Sequence, residues 1–447
     1  MAVDEGMAAT AETAAAPAVR IDGALLARNT LLNLLGQVIP LGVAVVCMPI
    51  AILGLGPDAF GVLSLAWMVL GYFGIFDLGL GRATTKFVAE YLGRGERERI
   101  PELVWTSVAF QAVLGVTGGA VLAALTPFLV TRVLKIPPGL LPDARITFYL
   151  LAASAPVVLI TATFRGVLEA AQRFDLVNAV KVPASSLTYL IPMLALSLGL
   201  GLPYIVALLM VARLAAAIAY AALVHRSLRR ETRYGGARLS ALPMLLGYGG
   251  WVTVSNVVTP VLVYSERALI AALVGVAAVG YYTVPYEMIS RLTIVATSLA
   301  TALFPAFSGV SALQPSTAIV HLYRRSTRYL LLAVGPLVVV AVVFGREVVG
   351  VWLGDAAAAA SAPVFQVLAV GVLANSIAQV PFGLIQGMGR PDWTAKAHVV
   401  ETLLYIPLAW LLVRTLGLVG GALAWTIRVT LDMAMLLYLA RILAGPR

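Results

Sequence analysis

Apolar stretches of membrane-crossing length alternate along the chain with short clusters of Gly, Pro and charged residues. A helix needs roughly 20 apolar residues to cross the hydrocarbon core of a bilayer. The pattern predicts twelve such helices, near residues 28–54, 59–80, 103–130, 145–170, 176–199, 202–224, 243–273, 280–309, 328–345, 361–388, 393–413 and 418–441. Strands are not expected, because an open sheet edge leaves backbone polar groups unsatisfied in lipid. The expected fold is an all-α polytopic membrane protein. The opening residues, MAVDEGMAATAETAAAPAVR, are rich in Ala and acidic residues and lack the basic and apolar regions of a signal peptide. Residues 1–20 therefore read as a disordered cytoplasmic tail outside the fold.

The pattern also repeats. GPDAFGVLSLAW (Gly56–Trp67) matches GVAAVGYYTVPY (Gly275–Tyr286) at an offset of 219, and FRGVLEAAQRFD (Phe164–Asp175) matches FGLIQGMGRPD (Phe382–Asp392) at an offset near 217. Six helices return a chain to its starting side. Residues 21–230 and 231–447 are thus expected to form two parallel six-helix bundles, pseudo-symmetric about the membrane normal, with a central cavity between them.

Composition strengthens this reading. Charged residues make up 12% of the 447 and hydrophobic ones 61%, with a mean hydropathy of +0.95; soluble proteins carry about 25% charged residues. A net charge of +10 would suit nucleic acid, but the basic residues fall in short alternate loops, 21 on one side and 5 on the other. Lys and Arg collect on the cytoplasmic side. Both termini are therefore expected in the cytoplasm, in a multi-pass protein of the inner (cytoplasmic) membrane with no nucleic-acid partner. Cys47 is the only cysteine, and His225, His321 and His398 show no metal-ligand spacing. Nucleotide-binding and zinc-protease motifs are absent, and the loops are too short for a catalytic domain. No enzyme, metal or cofactor is expected.

Arg165, Arg213, Arg267, Arg291 and Arg428 lie inside predicted spans. In VLVYSERALIAAL (Val261–Leu273), Glu266 stands beside Arg267. Adjacent residues on a helix point about 100° apart and do not face each other, so both must find partners elsewhere. The next span offers Glu287 and Arg291, one turn apart on one face. At a rise of about 1.5 Å per residue, Glu266, Arg267 and Glu287 lie ~10–14 Å below the Gly275–Gly280 loop, with Arg291 near the midplane. Intramembrane charges are expensive and mark pathways, so the four read as a polar cluster facing the cavity. The other reading is a clamp between spans 7 and 8. Asn33 and Gln37 share a face of span 1, which Arg28 begins; the repeat aligns Gln37 with Asn256 and Tyr72 with Arg291, and nearly aligns Pro40 with Pro260. Matching polar faces and proline kinks suggest that spans 1, 2, 7 and 8 line the path, although polar residues also join helices. Arg213 has no acid nearby in sequence, which suits an anionic ligand or a cage of carbonyls. Arg428 reads as paired with Asp432 one turn on, while Arg165 and Glu169 snorkel at a helix end.

Two longer runs resemble a known family. FGVLSLAWMVLGYFGIFDLGLGRATTKFVAEYLGRGERERI (Phe60–Ile100) is similar to the second-span signature of bacterial polysaccharide flippases, and YSERALIAALVGVAAVGYYTVPYEM (Tyr264–Met288) resembles their span 7–8 hairpin. The family is the Wzx-type branch of the multidrug/oligosaccharidyl-lipid/polysaccharide (MOP) superfamily, and the resemblance covers about residues 25–445. It implies two six-helix bundles in a V that alternate between inward- and outward-open forms. The implied cargo is an undecaprenyl-pyrophosphate-linked oligosaccharide, turned from the cytoplasmic to the outer leaflet for cell-surface polysaccharide. Membrane lipids and other polysaccharide-assembly proteins are the implied partners. Asp77, Leu78, Gly79 and Gly81 match the family's span-2 turn, and Glu266 and Arg267 fall on its acid–Arg position, where Asp is usual. On this reading Arg28, Arg213, Arg267 and Arg291 hold pyrophosphate, for which arginine forks are suited. Asn33, Gln37, Tyr72 and Asn256 line the cavity, and Glu266 or Glu287 binds a coupling ion or gates the path. Membrane potential offers a second driving force, about 2.3 kcal/mol per charge at 100 mV. The alternatives are a cation-coupled drug or metabolite antiporter on the same fold, a lipid II flippase, or a non-transporting scaffold in an export complex. Lipid II flippases usually have fourteen spans and more basic residues in spans 1 and 2.

The orientation is testable with fusions. Alkaline phosphatase joined after Gly139 is expected to be active and after Arg447 inactive, with green fluorescent protein giving the converse. The opposite pattern would invert the topology.

Overall fold

The computed structural model describes residues 23–134, 136–228, 236–311, 316–353 and 355–444. The tail, the boundary at 230/231 and the orientation signals Arg20, Lys135, Arg229, Arg230, Arg233 and Arg447 lie outside the described residues. Helix α1 (Gly23–Phe76) runs for 54 residues, about 80 Å if straight, far more than one crossing needs. It breaks at Gly56, whose φ of 75° and ψ of 165° are conformations open mainly to glycine. The limbs 23–55 and 57–76 therefore form separate spans. A basic amphipathic helix, α2 (Leu80–Arg94), and a turn at Arg97–Arg99 lead into α3 (Ile100–Phe128), α4 (Leu141–Ala170), α5 (Phe174–Ser197) and α6 (Leu202–Leu228).

The second half contains α7 (Leu242–Leu273), α8 (Val276–Ser290), α9 (Thr293–Ser311), α10 (Ser316–Val343), α11 (Gly345–Leu353), α12 (Asp355–Gly387) and α13 (Pro391–Ala444). Among the described residues, nine segments are long and apolar enough to cross a membrane, and α8 with α9, bent by 48°, makes a tenth. Gly417 breaks the 53-residue segment Pro391–Leu443 into two, and the second limb of α1 completes the expected twelve. Several spans differ from their sequence outline: the one drawn as 328–345 starts at Ser316. The one drawn as 59–80 ends at Phe76, and the one drawn as 280–309 bends between Ser290 and Thr293. At that bend the Ser290 hydroxyl donates to the Glu287 carbonyl (3.2 Å) and the Thr293 hydroxyl to the Ser290 carbonyl (2.6 Å). Such local bonds compete with the helical ladder.

Helices α3 to α6 pack with α1 in one bundle, and α12 gathers α8, α9, α10 and α13 in the other. The internal repeat is visible in the backbone. Between α4 and α5, Gln172 takes φ 58° and Arg173 holds Asp175 at 3.0 Å. Between α12 and α13, Gly389 takes φ 80° and Arg390 holds Asp392 at 3.1 Å.

The bundles meet chiefly along a seam at the charge-rich end, where α9 contacts α1 and α2, and α2 contacts α7. Gly79 lies against Gly249 and Gly93 against Gly309, so closely that a Cβ on Gly79 or Gly93 would enter the facing backbone. Among the described residues, the Thr106 hydroxyl of α3 and the Arg238 backbone before α7 exchange hydrogen bonds (3.1 and 3.0 Å), and three more reach α9. The Asn33 amide donates to the Ser298 carbonyl (3.4 Å), Gln37 to the Ser298 hydroxyl (2.7 Å), and Gln172 to the Ala302 carbonyl (3.3 Å). Helix α8 packs on α7, α12 and α13 of its own bundle.

Replacing Gly93 by Val drives a branched side chain into the Gly309 backbone. Overpacking costs about 1–3 kcal/mol, so a cysteine placed at buried Ala302, in a Cys47→Ser background, should react about tenfold faster with a thiol reagent than it does beside Gly93. Equal rates would mean that the seam yields without parting.

Candidate functional site

The site begins with a chain reversal. Leu78 and Gly79 take φ values of 49° and 68°, which end the second limb of α1 and turn the chain into α2. The Asp77 carboxylate accepts the Gly81 N–H at 3.0 Å, so an acid side chain caps the exposed amides of the new helix. The Gln111 side chain of α3 donates to the same carboxylate, and its carbonyl accepts the Thr163 hydroxyl of α4. Gly81 packs on Ala162, and Gly166 on Thr85, without room for a Cβ at Gly166. These contacts seat α2 on α4, next to the seam.

Two adjoining chambers open there, each of about 410 Å³, and they share Asp77, Ala162, Arg165 and Lys181. The first lies between the bundles. Gln37, Arg82 and Glu169 line it from one side, and Asn256, Thr301 and Phe304 from the other. The second runs into the first bundle, lined by Arg213, Tyr220 and Thr188. Together they hold four cations, Arg82, Arg165, Lys181 and Arg213, against two carboxylates, Asp77 and Glu169. Arg165 bonds Glu169 at 3.4 Å. The Arg82 guanidinium lies over the Phe304 ring at 4.8 Å and the Phe382 ring at 5.6 Å. Arg213 forms no ion pair among the described residues. Asp77 is already engaged by its cap and by Gln111, so the chambers carry an excess of positive charge suited to an anion.

The sequence candidates divide across the structure. Asp77, Gly79, Gly81, Gln37 and Asn256 line the first chamber, and Arg213 the second. Asn33 is buried in the seam, where it also accepts the Asn178 amide at 3.2 Å. Tyr72 lies in the second limb of α1, and its side chain is outside the described residues. Arg28 is exposed at the start of α1 and lines neither chamber.

The Glu266 cluster lies elsewhere. Glu266 is fully buried and accepts hydrogen bonds from the Tyr405 (2.7 Å) and Tyr282 (3.4 Å) hydroxyls. Arg267 and Arg291 both bond Glu287, at 3.2 and 3.4 Å, and Arg267 lies over the Tyr286 ring at 4.7 Å. None of the four lines either chamber. Arg428 bonds Glu401 at 3.2 Å, not Asp432 as its spacing suggested.

Three chamber residues are not among the sequence candidates: Arg82 and Lys181 fall within the 21 cations assigned to one side by the loop count, and Arg165 reads as a snorkelling side chain. Lys181 stands seven residues inside α5, and Arg165 five residues before the end of α4. The available signal was their spacing, which puts Arg165 and Glu169 on one helical face.

Comparisons with known proteins identify the family and the fold. A family profile described as "Polysaccharide biosynthesis protein" matches residues 26–311. The chain is 30% identical over 414 residues to the "Putative O-antigen transporter" of Shigella flexneri, covering 92% of this chain and 97% of that one. Its fold is shared with a multidrug resistance MATE family transporter of the MOP superfamily in an outward-facing conformation, at a TM-score of 0.81 and 16% identity over 94% of this chain and 95% of the other. A MOP superfamily transporter from Pyrococcus furiosus, described by the reverse polarity of its binding pocket, matches at a TM-score of 0.79 and 16% identity, with 94% and 95% covered. At such identity the likeness is one of fold.

Removing the Tyr405 hydroxyl tests the burial of Glu266. Tyr405→Phe leaves a buried carboxylate short of its nearer donor and should lower stability by about 1–3 kcal/mol, read as a fall in unfolding temperature of the purified protein. In Glu266→Gln the same change should cost less. Equal costs in the two backgrounds would mean that the bond carries no weight.

Proposed function

This chain belongs to the polysaccharide biosynthesis protein family of the MOP superfamily, and from that premise we propose that it carries an undecaprenyl-pyrophosphate-linked oligosaccharide across the cytoplasmic membrane by alternating access. The observation that carries this reading is the charge of the two chambers, with Arg82, Arg165, Lys181 and Arg213 facing a space at the bundle seam. Pyrophosphate is a compact anion. Guanidinium forks bind its oxygens in pairs, and an ammonium adds a point charge. Arg213 and Lys181 would hold it inside the first bundle, while Arg165 exchanges Glu169 for phosphate. Sugars occupy the wetter first chamber, whose Gln37, Asn256 and Thr301 offer hydrogen bonds. The polyprenyl tail stays in lipid beside the helices.

With both termini in the cytoplasm, the seam closes the cytoplasmic side, and this conformation is the outward-open member of the cycle. Parting α2 from α7 and α9 then admits cargo from the cytoplasmic leaflet. A drug antiporter on the same fold would take cationic compounds, for which an excess of positive charge is unsuitable.

Complementation of a flippase-deleted strain tests the reading. One charge-assisted hydrogen bond is worth about 1.5–3 kcal/mol, so Arg165→Ala or Arg213→Ala should cut export of surface polysaccharide roughly tenfold to a hundredfold at equal membrane abundance. The double variant should abolish export and accumulate the lipid-linked precursor inside. Arg267→Ala and Arg291→Ala serve as comparison. Full export from the chamber variants, with loss from these two, would move the cargo site to the Glu287 cluster.

A further inference from the structure

A second set of chemically active side chains lies in the other bundle, between the limbs of α13. His398 and Glu401 are three residues apart on the first limb and so share a face. Asp432 faces them from the second limb, and one ligating atom from each of the three lies within 4.8 Å of the others. The side chains are 12%, 8% and 12% exposed, in that order. His398 Nδ1, Glu401 Oε2 and Asp432 Oδ1 are all buried without a hydrogen-bond partner. A buried polar atom without a partner costs about 1–3 kcal/mol; His398 Nε2 faces Asp432 Oδ1 at 4.0 Å, longer than a hydrogen bond, and a cation held among the three side chains would satisfy them.

Charge points the same way. Glu266, Glu401 and Asp432 lie near one another, with the Arg428 guanidinium among them. Arg428 bonds Glu401 Oε1 at 3.2 Å and lies over the Tyr405 ring at 5.4 Å, and Tyr405 bonds Glu266 at 2.7 Å. Arg267 and Arg291, the next cations along, share Glu287. Four carboxylates against three guanidiniums leave a net negative charge, which favours a cation. The donor set narrows the ion further. Sodium, magnesium and calcium favour all-oxygen sites, whereas one imidazole with two carboxylates suits manganese, iron, cobalt or zinc. The Phe382 ring stacks on His398, with centroids 5.8 Å apart and planes 16° from parallel, which holds the imidazole's orientation as ligands require. A crevice of about 300 Å³ borders Glu401, Arg428 and Asp432.

We propose that His398, Glu401 and Asp432 bind one divalent first-row metal ion that ties the two limbs of α13 together. The site is separate from the chambers and stands whatever cargo they carry.

Cobalt is the probe. Full-length protein, with any affinity tag removed, is placed in lipid nanodiscs, cleared with chelator and titrated with Co²⁺. The expected result is one ion per chain, visible ligand-field bands and a raised unfolding temperature. His398→Gln, Glu401→Gln and Asp432→Asn should each weaken binding by at least about 10–100-fold. His398→Gln keeps the volume and charge of the neutral side chain, so it guards against loss of binding through misfolding. Absence of ligand-field bands in the wild type would overturn the proposal. Bands undiminished in His398→Gln would overturn it too, by showing adventitious binding.

Discussion

A carboxylate taken out of water must be satisfied by the protein, and the way Asp77 is satisfied organises the first bundle and its meeting with the second. Its oxygens accept an amide of α2 and the side chain of Gln111 on α3, which in turn holds Thr163 on α4. The anion thereby ends one span, starts an amphipathic helix and fixes that helix over α4. Much of the seam is built on α2: the glycine contacts with α7 and α9, and the position of Arg82 over Phe304. A neutral side chain at residue 77 would leave both the helix cap and Gln111 with weaker partners.

The spans were legible because hydrocarbon imposes one rule on every crossing helix, and apolar runs report it directly. The repeat was legible for a related reason. Its turns need particular residues, and the matching Arg173–Asp175 and Arg390–Asp392 pairs survive at both copies. Counting Lys181 with the loop cations missed that it lies inside α5, and counting Arg82 there missed that α2 turns it towards the seam, because a run of hydropathy cannot say where a helix bends or how far a basic side chain lies within it. Counting cations by loop thus hid two that face a chamber.

Partners across the bundle were the least legible. Glu266 was expected near Glu287 and Arg291 because they follow in sequence, yet its hydroxyl donors are Tyr282 and Tyr405, the second 139 residues away. Arg428 takes Glu401 in preference to the acid one turn from it. In both cases the packing of helices remote in sequence decides which donor reaches which acceptor. The spacing of His398 and Glu401 was a signal in the sequence, but Asp432 is a ligand candidate only after the chain turns at Gly417.

The glycine seam has a kinetic consequence. Interlocked side chains would have to leave their sockets one by one before two bundles could separate, and each exit would add to the barrier. Gly79 against Gly249 and Gly93 against Gly309 present smooth backbone to smooth backbone, so at those points no side chain has to withdraw, and Arg82, over Phe304 and Phe382, is among the few that must. The three hydrogen bonds that reach α9 beside them are each worth about 1 kcal/mol net. Such a joint resembles two polished faces held by a thin film. It is tight while closed, with few interlocked side chains to release as it parts.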